Sequence, residues 1–397
     1  MARDLILATA EGYGWQDVRP FVDSLRETDF RGDVCFFASQ LDVETLGSIT
    51  EAGIDVVRPR RTALDRRLRL ESHERIASRL RWPPGTRFAL HAASAFSHDR
   101  SLPSARVLGQ LANPEIARYA WYLERLTTTR TEYGQVMLTD VRDVVFLGNP
   151  FSVVEGAESM RFFLESENVT MADSAYNRSW LLTAYGEEML ESLRDRPISC
   201  SGVTIGSVDG VLAYLTIMVK ELARLPKHIR GIDQAVHNVV VHQGLVPGAR
   251  LVPNLEGAVL TVGKMSAAQA TQALSERRES VKVVHQYDRH PELAAMSHAT
   301  SNRDASTSLV TTRRHGFARR QARFLVPPLA GIAAFALTAA LAEAFTDRDW
   351  SLSGLEWPED FATAALLVCL VPLVLWLVSL VTDARATRSK AERAPEG

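Results

Sequence analysis

Gln135-Val-Met-Leu-Thr-Asp-Val-Arg-Asp-Val-Val-Phe146 decides how the rest of this chain is read. It opens on a largely apolar run, which predicts a buried strand, and Asp140 and Asp143 fall where that strand ends. In open α/β sheets ligands gather in the crevice beyond the carboxyl ends of the strands, so both carboxylates are expected beside a charged ligand. Their oxygens are hard ligands, suited to Mg²⁺ or Mn²⁺. One reading is therefore a metal clamp on a diphosphate. The other is structural: one acid caps the following turn and the other pairs with Arg142.

Upstream, strand and helix patterns alternate, as expected for an α/β domain with helices flanking a sheet. Leu5 to Thr9 reads as a first strand, followed by a helix over Val18 to Glu27. Val34 to Ala38 gives a second strand, Asp42 to Ala52 an amphipathic helix and Ile54 to Val57 a short third strand. Leu64 to Leu80, dense in arginine with apolar residues at helical spacing, predicts a surface helix. Arg118 to Leu126 predicts another, leading by a short turn into the acidic strand.

The chain has 397 residues, with 45 Lys and Arg against 47 Asp and Glu. It can bury a sizeable core, and nothing in its charge points to nucleic acid. Cys35, Cys200 and Cys369 lie far apart without metal-ligand spacing, which suggests a reduced compartment. The N-terminus leads straight into an apolar strand with no signal-peptide pattern, so the domain is expected to stay in the cytosol.

Two C-terminal segments differ from the rest. Phe324 to Phe345 and Ala362 to Thr382 are long and apolar enough to cross a hydrocarbon core of roughly 30 Å as helices. Arg313, Arg314, Arg319, Arg320 and Arg323 precede them, and Arg385, Arg388, Lys390 and Arg393 follow. The loop between them is acidic, so both chain ends are expected on the cytoplasmic side. The expected organisation is a domain over residues 1–295, a flexible basic linker over 296–323, a transmembrane hairpin over 324–382 and a cytoplasmic tail over 383–397.

Further motifs narrow the chemistry. Gly12-Tyr-Gly14 follows the first strand, but Asp17 stands where a dinucleotide fingerprint needs its third glycine, and no Walker-type run exists. Ile198-Ser-Cys-Ser-Gly-Val-Thr-Ile-Gly206 places Gly202 in a strand-like run, where a bulge or a close approach by a ligand or backbone explains it. Gly231-Ile-Asp-Gln-Ala-Val-His-Asn238 sets Asp233, Gln234, His237 and Asn238 at the start of a helix, where Asp233 is a site residue or a cap. Val281-Lys-Val-Val-His-Gln-Tyr-Asp-Arg-His290 ends a strand with His285, whose imidazole can complete a metal site begun by two carboxylates. Lys264 follows a loop-like stretch and reads either as an ordinary solvated lysine or as a charge over a bound phosphate.

In this order the blocks resemble the GT-A type glycosyltransferases, over about the first three quarters of the chain. The resemblance implies a Rossmann-like mixed sheet flanked by helices. It also implies a nucleotide-sugar donor, a divalent cation, Mn²⁺ or Mg²⁺, on its diphosphate, and a glycan, lipid-linked or protein acceptor. Metal ligands are then Asp140, Asp143 and His285. Catalytic positions are Asp233 and Gln234, and donor-binding positions are Thr9, Ala10, Arg142, Gly202 and Lys264. The chain departs from the family's Asp-x-Asp element, with Arg142 where the second acid stands. A membrane-tethered glycosyltransferase is the expectation; a non-catalytic nucleotide-sugar-binding or scaffold protein at the membrane is the alternative. A nucleotidyltransferase is disfavoured, because Ala10-Glu-Gly-Tyr-Gly14 carries no basic residue.

Overall fold

The computed structural model describes residues 2–59, 101–152, 158–225, 229–290 and 292–293. The run Leu5 to Ala8 is buried at every position, as a strand covered on both faces must be, and it lies inside β1 (Arg3–Glu11). After it come α1 (Trp15–Arg26), β2 (Asp33–Ser39), α2 (Val43–Glu51) and β3 (Asp55–Val57). All five fall close to the limits the sequence predicts. The expected surface helix at Leu64 to Leu80 lies outside the described residues.

Next come α3 (Ser101–Leu111) and α4 (Pro114–Thr129), then β4 (Tyr133–Thr139), β5 (Val144–Phe146) and β6 (Met160–Leu164). The helix α4 begins four residues before the predicted Arg118. Asn113 caps it by accepting the Ile116 N–H, and Pro114 takes the first helical position, where no backbone donor is needed. Then follow α5 (Ala175–Tyr185), α6 (Glu187–Leu193), β7 (Ser199–Ser207), α7 (Val208–Arg224) and α8 (Ile232–His242). The last described elements are β8 (Ala249–Val252), β9 (Val259–Thr261), α9 (Ala267–Glu276) and β10 (Val283–His285).

Among the described residues, seven strands form one mixed sheet in the order β3-β2-β1-β4-β7-β6-β8. The half from β3 to β4 is parallel, and β7 runs antiparallel to both β4 and β6. A second, three-stranded sheet has the order β5-β10-β9. The acidic stretch Asp140 to Asp143 is the junction between the two sheets, because β4 belongs to the first and β5 to the second.

Register does the rest. Thr139 pairs with Val203, and the Asp140 N–H donates to the Gly202 carbonyl at 2.8 Å, so the acidic turn lies against β7. His285 pairs with Val144 in the antiparallel β5–β10 ladder, which brings it beside Asp143 from far along the chain. Phe21 of α1 packs against this junction, edge-on to Phe36 at 5.4 Å and to Phe146 at 4.8 Å. The Phe146 N–H also donates to Ser24 Oγ of the same helix at 3.0 Å. Truncating a buried phenylalanine such as Phe21 costs about 3–5 kcal/mol, and here the loss falls on β5, the strand that follows the acidic turn.

Among the described residues no helix is long and apolar enough to cross a membrane. The expected linker, hairpin and tail lie outside the described residues, as do their flanking arginines.

Candidate metal and donor site

Asp140, Asp143 and His285 come together as a group able to hold a metal ion, each offering one ligand atom within 4.8 Å of the others. His285 Nε2 lies 3.9 Å from Asp140 Oδ2 and 3.7 Å from Asp143 Oδ2. The imidazole is 1% exposed, and its Nε2 has no hydrogen-bond partner. A buried ring nitrogen without a partner is costly unless a ligand takes it. On the other side of the ring, Nδ1 approaches Thr261 Oγ1 at 3.5 Å.

Gly202 explains how the three groups fit against β7. A Cβ there would lie 2.7 Å from both Asp140 Oδ2 and His285 Nε2. The glycine marks a close approach, and what approaches is the candidate ligand set itself.

Burial pushes the Asp143 carboxyl above its usual range, and Asp140 and Asp288 push the same way against His285 and Arg142. Such a carboxylate gains from an added cation. Two carboxylate oxygens and one imidazole nitrogen make a donor set able to hold a metal ion.

A residue absent from the expected site links this group to α8. Arg118 of α4 places Nη1 on Asp140 Oδ1 and Nη2 on Asp233 Oδ2 at 3.0 Å. Its side chain is 12% exposed, and its guanidinium lies over the Tyr119 ring, 5.1 Å from the centroid. Asp140 therefore turns one oxygen to Arg118 and the other to His285. Asp233 also accepts from Tyr119 Oη at 3.4 Å. Burial lifts Asp233 to about 6; Arg118 opposes the rise, and Glu115 and Asp140 reinforce it.

The helix α8 does not begin with an aspartate cap. Gly231, at φ 79°, is the capping residue, and Asp233 lies in the first turn. Gln234 is tied to β7 by both ends of its carboxamide, donating to the Ser199 carbonyl at 2.8 Å and accepting the Ser201 N–H at 2.9 Å. Asn238 bonds the Ser199 amide and carbonyl. His237 is enclosed between Ser199 Oγ at 2.9 Å and Tyr214 Oη at 2.8 Å, and burial lowers it to about 3.

The remaining expected donor residues are scattered. Thr9 shares a hydrogen bond with Tyr122 Oη at 2.7 Å. Ala10 is fully buried in the core. Arg142 pairs with Asp288 at 3.7 Å rather than with either acid of its own turn. Lys264 is exposed in the turn after β9, two residues beyond Val262, whose N–H bonds the His285 carbonyl. Tyr13, in the turn after β1, is a further neighbour: burial and then the Asp140 charge raise its hydroxyl to about 12. Arg118, Tyr119 and Tyr122 share one face of α4, a spacing visible in sequence although their partners are not.

No family model matches the chain, and no curated protein matches it. Among solved structures, the apo structure of WbbM, a bifunctional glycosyltransferase, is similar at 13% identity with a TM-score of 0.38, over 77% of this chain and 52% of that one. The chain thus spans about half the length of that protein.

Proposed function

We propose that this chain is a metal-dependent glycosyltransferase of GT-A type that moves a sugar from a nucleotide-sugar donor to an acceptor hydroxyl. The observation that carries the reading is the unpartnered, buried Nε2 of His285 facing the carboxylates of Asp140 and Asp143 at the end of β4. Those three residues would hold Mn²⁺ or Mg²⁺. A bound cation stabilises, as a Lewis acid, the charge that develops on the departing nucleoside diphosphate.

The chain's own residues supply the rest. Arg118 bridges Asp140 and Asp233, and so fixes the separation between the metal group and the carboxylate of α8. Asp233, at about 6, is a carboxylate at neutral pH and can take a proton from, or orient, a hydroxyl. Gln234 positions α8 against β7. In this reading Arg142 and Lys264 meet phosphate. The sequence supports a C-terminal hairpin tethering the domain to the cytoplasmic face of a membrane, which suits a lipid-linked acceptor.

The test uses the full chain in detergent with Mn²⁺ and a panel of nucleotide sugars, following release of nucleoside diphosphate by slow donor hydrolysis. One donor is expected to be hydrolysed, with Asp140→Ala and His285→Ala inactive. If no donor binds or is hydrolysed, the enzyme reading fails; binding without turnover would favour a nucleotide-sugar-binding scaffold instead.

A further inference from the structure

Gln286 follows the candidate ligand His285 directly, and its backbone lies in the left-handed region at φ 61°. Side chains with a Cβ disfavour that region, and residues held there persist only where their surroundings impose it. Here the surroundings do so at both ends of the side chain. Nε2 lies 4.0 Å from Cys200 Sγ on β7. Oε1 is buried without a partner, in the space that a Cβ on Gly263 would fill.

The backbone is held just as firmly. The Gln286 N–H donates to the Asp143 carbonyl at 2.7 Å, and the His285 carbonyl accepts from Val262 at 3.0 Å. Beyond the turn, Tyr287 Oη donates to the Arg142 carbonyl at 3.3 Å, and His290 Nε2 meets the Val262 carbonyl at 2.9 Å. With anchors on both sides, any departure from the left-handed conformation rotates the peptide between His285 and Gln286. That peptide carries the hydrogen bond to Asp143 and the attachment of the imidazole.

We infer that Gln286 is a positioning residue for the metal centre. Its left-handed turn, wedged between Cys200 and Gly263, keeps the Asp143 carboxylate and the His285 imidazole at the separation a divalent cation needs. This rests on the metal reading proposed above. It also accounts for Gly263: any side chain there collides with the Gln286 carboxamide.

The experiment measures Mn²⁺ binding to the full chain from the free-ion paramagnetic resonance signal, with thermal unfolding recorded in parallel. Gln286→Val, which resists the left-handed conformation, is expected to weaken Mn²⁺ binding about tenfold, as loss of an outer-shell partner does. Gln286→Ala serves the same purpose if the valine variant does not fold. Gln286→Gly, free to adopt the turn, is expected to stay within about twofold of wild type. Gly263→Ala is expected to lose about tenfold, and combining it with Gln286→Gly to restore binding, because the clash with the carboxamide is gone and only the far end of the Arg289 side chain, 2.8 Å from the added Cβ, has to shift. A purely structural role would lower the unfolding temperature and leave the affinity in place. Wild-type affinity in Gln286→Ala and Gly263→Ala, or a double variant as weak as Gly263→Ala, overturns the proposal. A wild-type chain that takes up no Mn²⁺ sinks the metal reading, and this proposal with it.

Discussion

The two sides of Arg118 are both buried and polar, yet they are built on opposite terms. On the α8 side, both ends of Gln234, Asn238 and His237 find partners in β7 and α7. On the β4–β10 side, His285 Nε2 and Gln286 Oε1 are buried without one, and Asp143 is pushed above its usual range. A satisfied network fixes a shape and asks for nothing more. An unsatisfied one, rich in negative charge, is where a cation changes the energy most. Arg118 is the element common to both sides, so it offers the strongest way to test the contrast.

Arg118→Met should have the largest effect. It leaves Asp233 buried without its cation and frees Asp140, and removing one partner of a buried pair costs about 3–5 kcal/mol. The lower end is expected, since Asp140 is 37% exposed and keeps part of its hydration. Urea unfolding without metal checks the size of the loss. Added Mn²⁺ should recover part of it, because the cation meets the charge that Arg118 no longer covers on Asp140; no recovery would break the link between the two sides.

The next test separates the sides directly. At Mn²⁺ concentrations of about 100 times Kd, binding to the folded state adds roughly 2.7 kcal/mol. His285→Ala should lose that gain entirely. Asn238→Ala should lose basal stability and keep the gain, because its side chain hydrogen-bonds to β7 and its own helix. Thermal unfolding with and without Mn²⁺ reads both; a lost Mn²⁺ response in Asn238→Ala would mean that the network is part of the metal centre.

The fold was legible where apolar runs set it. The strands β1, β2 and β4 and the helices α1 and α2 lie close to their predicted limits, because each alternates or buries in a pattern that short segments carry alone. Gly202 was legible only as a bulge or a close approach, and the structure shows the close approach and what makes it. Arg118 was not legible as a site residue. An arginine in a helix reads as a solvated face, and its partners stand 22 and 115 positions away. The Arg142 pairing was hidden for the same reason. It turns to Asp288 because β5 pairs with β10, a register set by the packed second sheet rather than by the acidic turn.

The contrast also has a pH signature within α8. His237 at about 3 lies below its unfolded value of roughly 6.5, so the folded state holds fewer protons and stability falls as pH drops below that value. Asp233 at about 6 lies above its unfolded value near 3.9, so the folded state holds more protons and stability falls as pH rises from about 4 to 6. The two slopes oppose, each on the order of 1.4 kcal/mol per pH unit at most. His237→Phe should therefore tilt the urea midpoint downward with rising pH between 4 and 6, and Asp233→Asn should tilt it upward. Equal profiles in the two variants would place both residues in one kind of environment.

The smallest effect is expected at Lys264, which belongs to neither side's hydrogen-bond network. It is exposed, and surface substitutions of this kind change stability by no more than about 0.5 kcal/mol. Its position beyond the Val262 bond to His285 nonetheless puts its charge on the unsatisfied side. Lys264→Ala should leave unfolding unchanged and weaken binding of a nucleoside diphosphate with Mn²⁺ by a few-fold. The difference should shrink between low and physiological salt, because an exposed charge is screened over roughly 8–10 Å. A loss that does not respond to salt would mean that Lys264 is drawn into the site when the nucleotide binds, which extends the unsatisfied side beyond the three candidate ligands and Gln286.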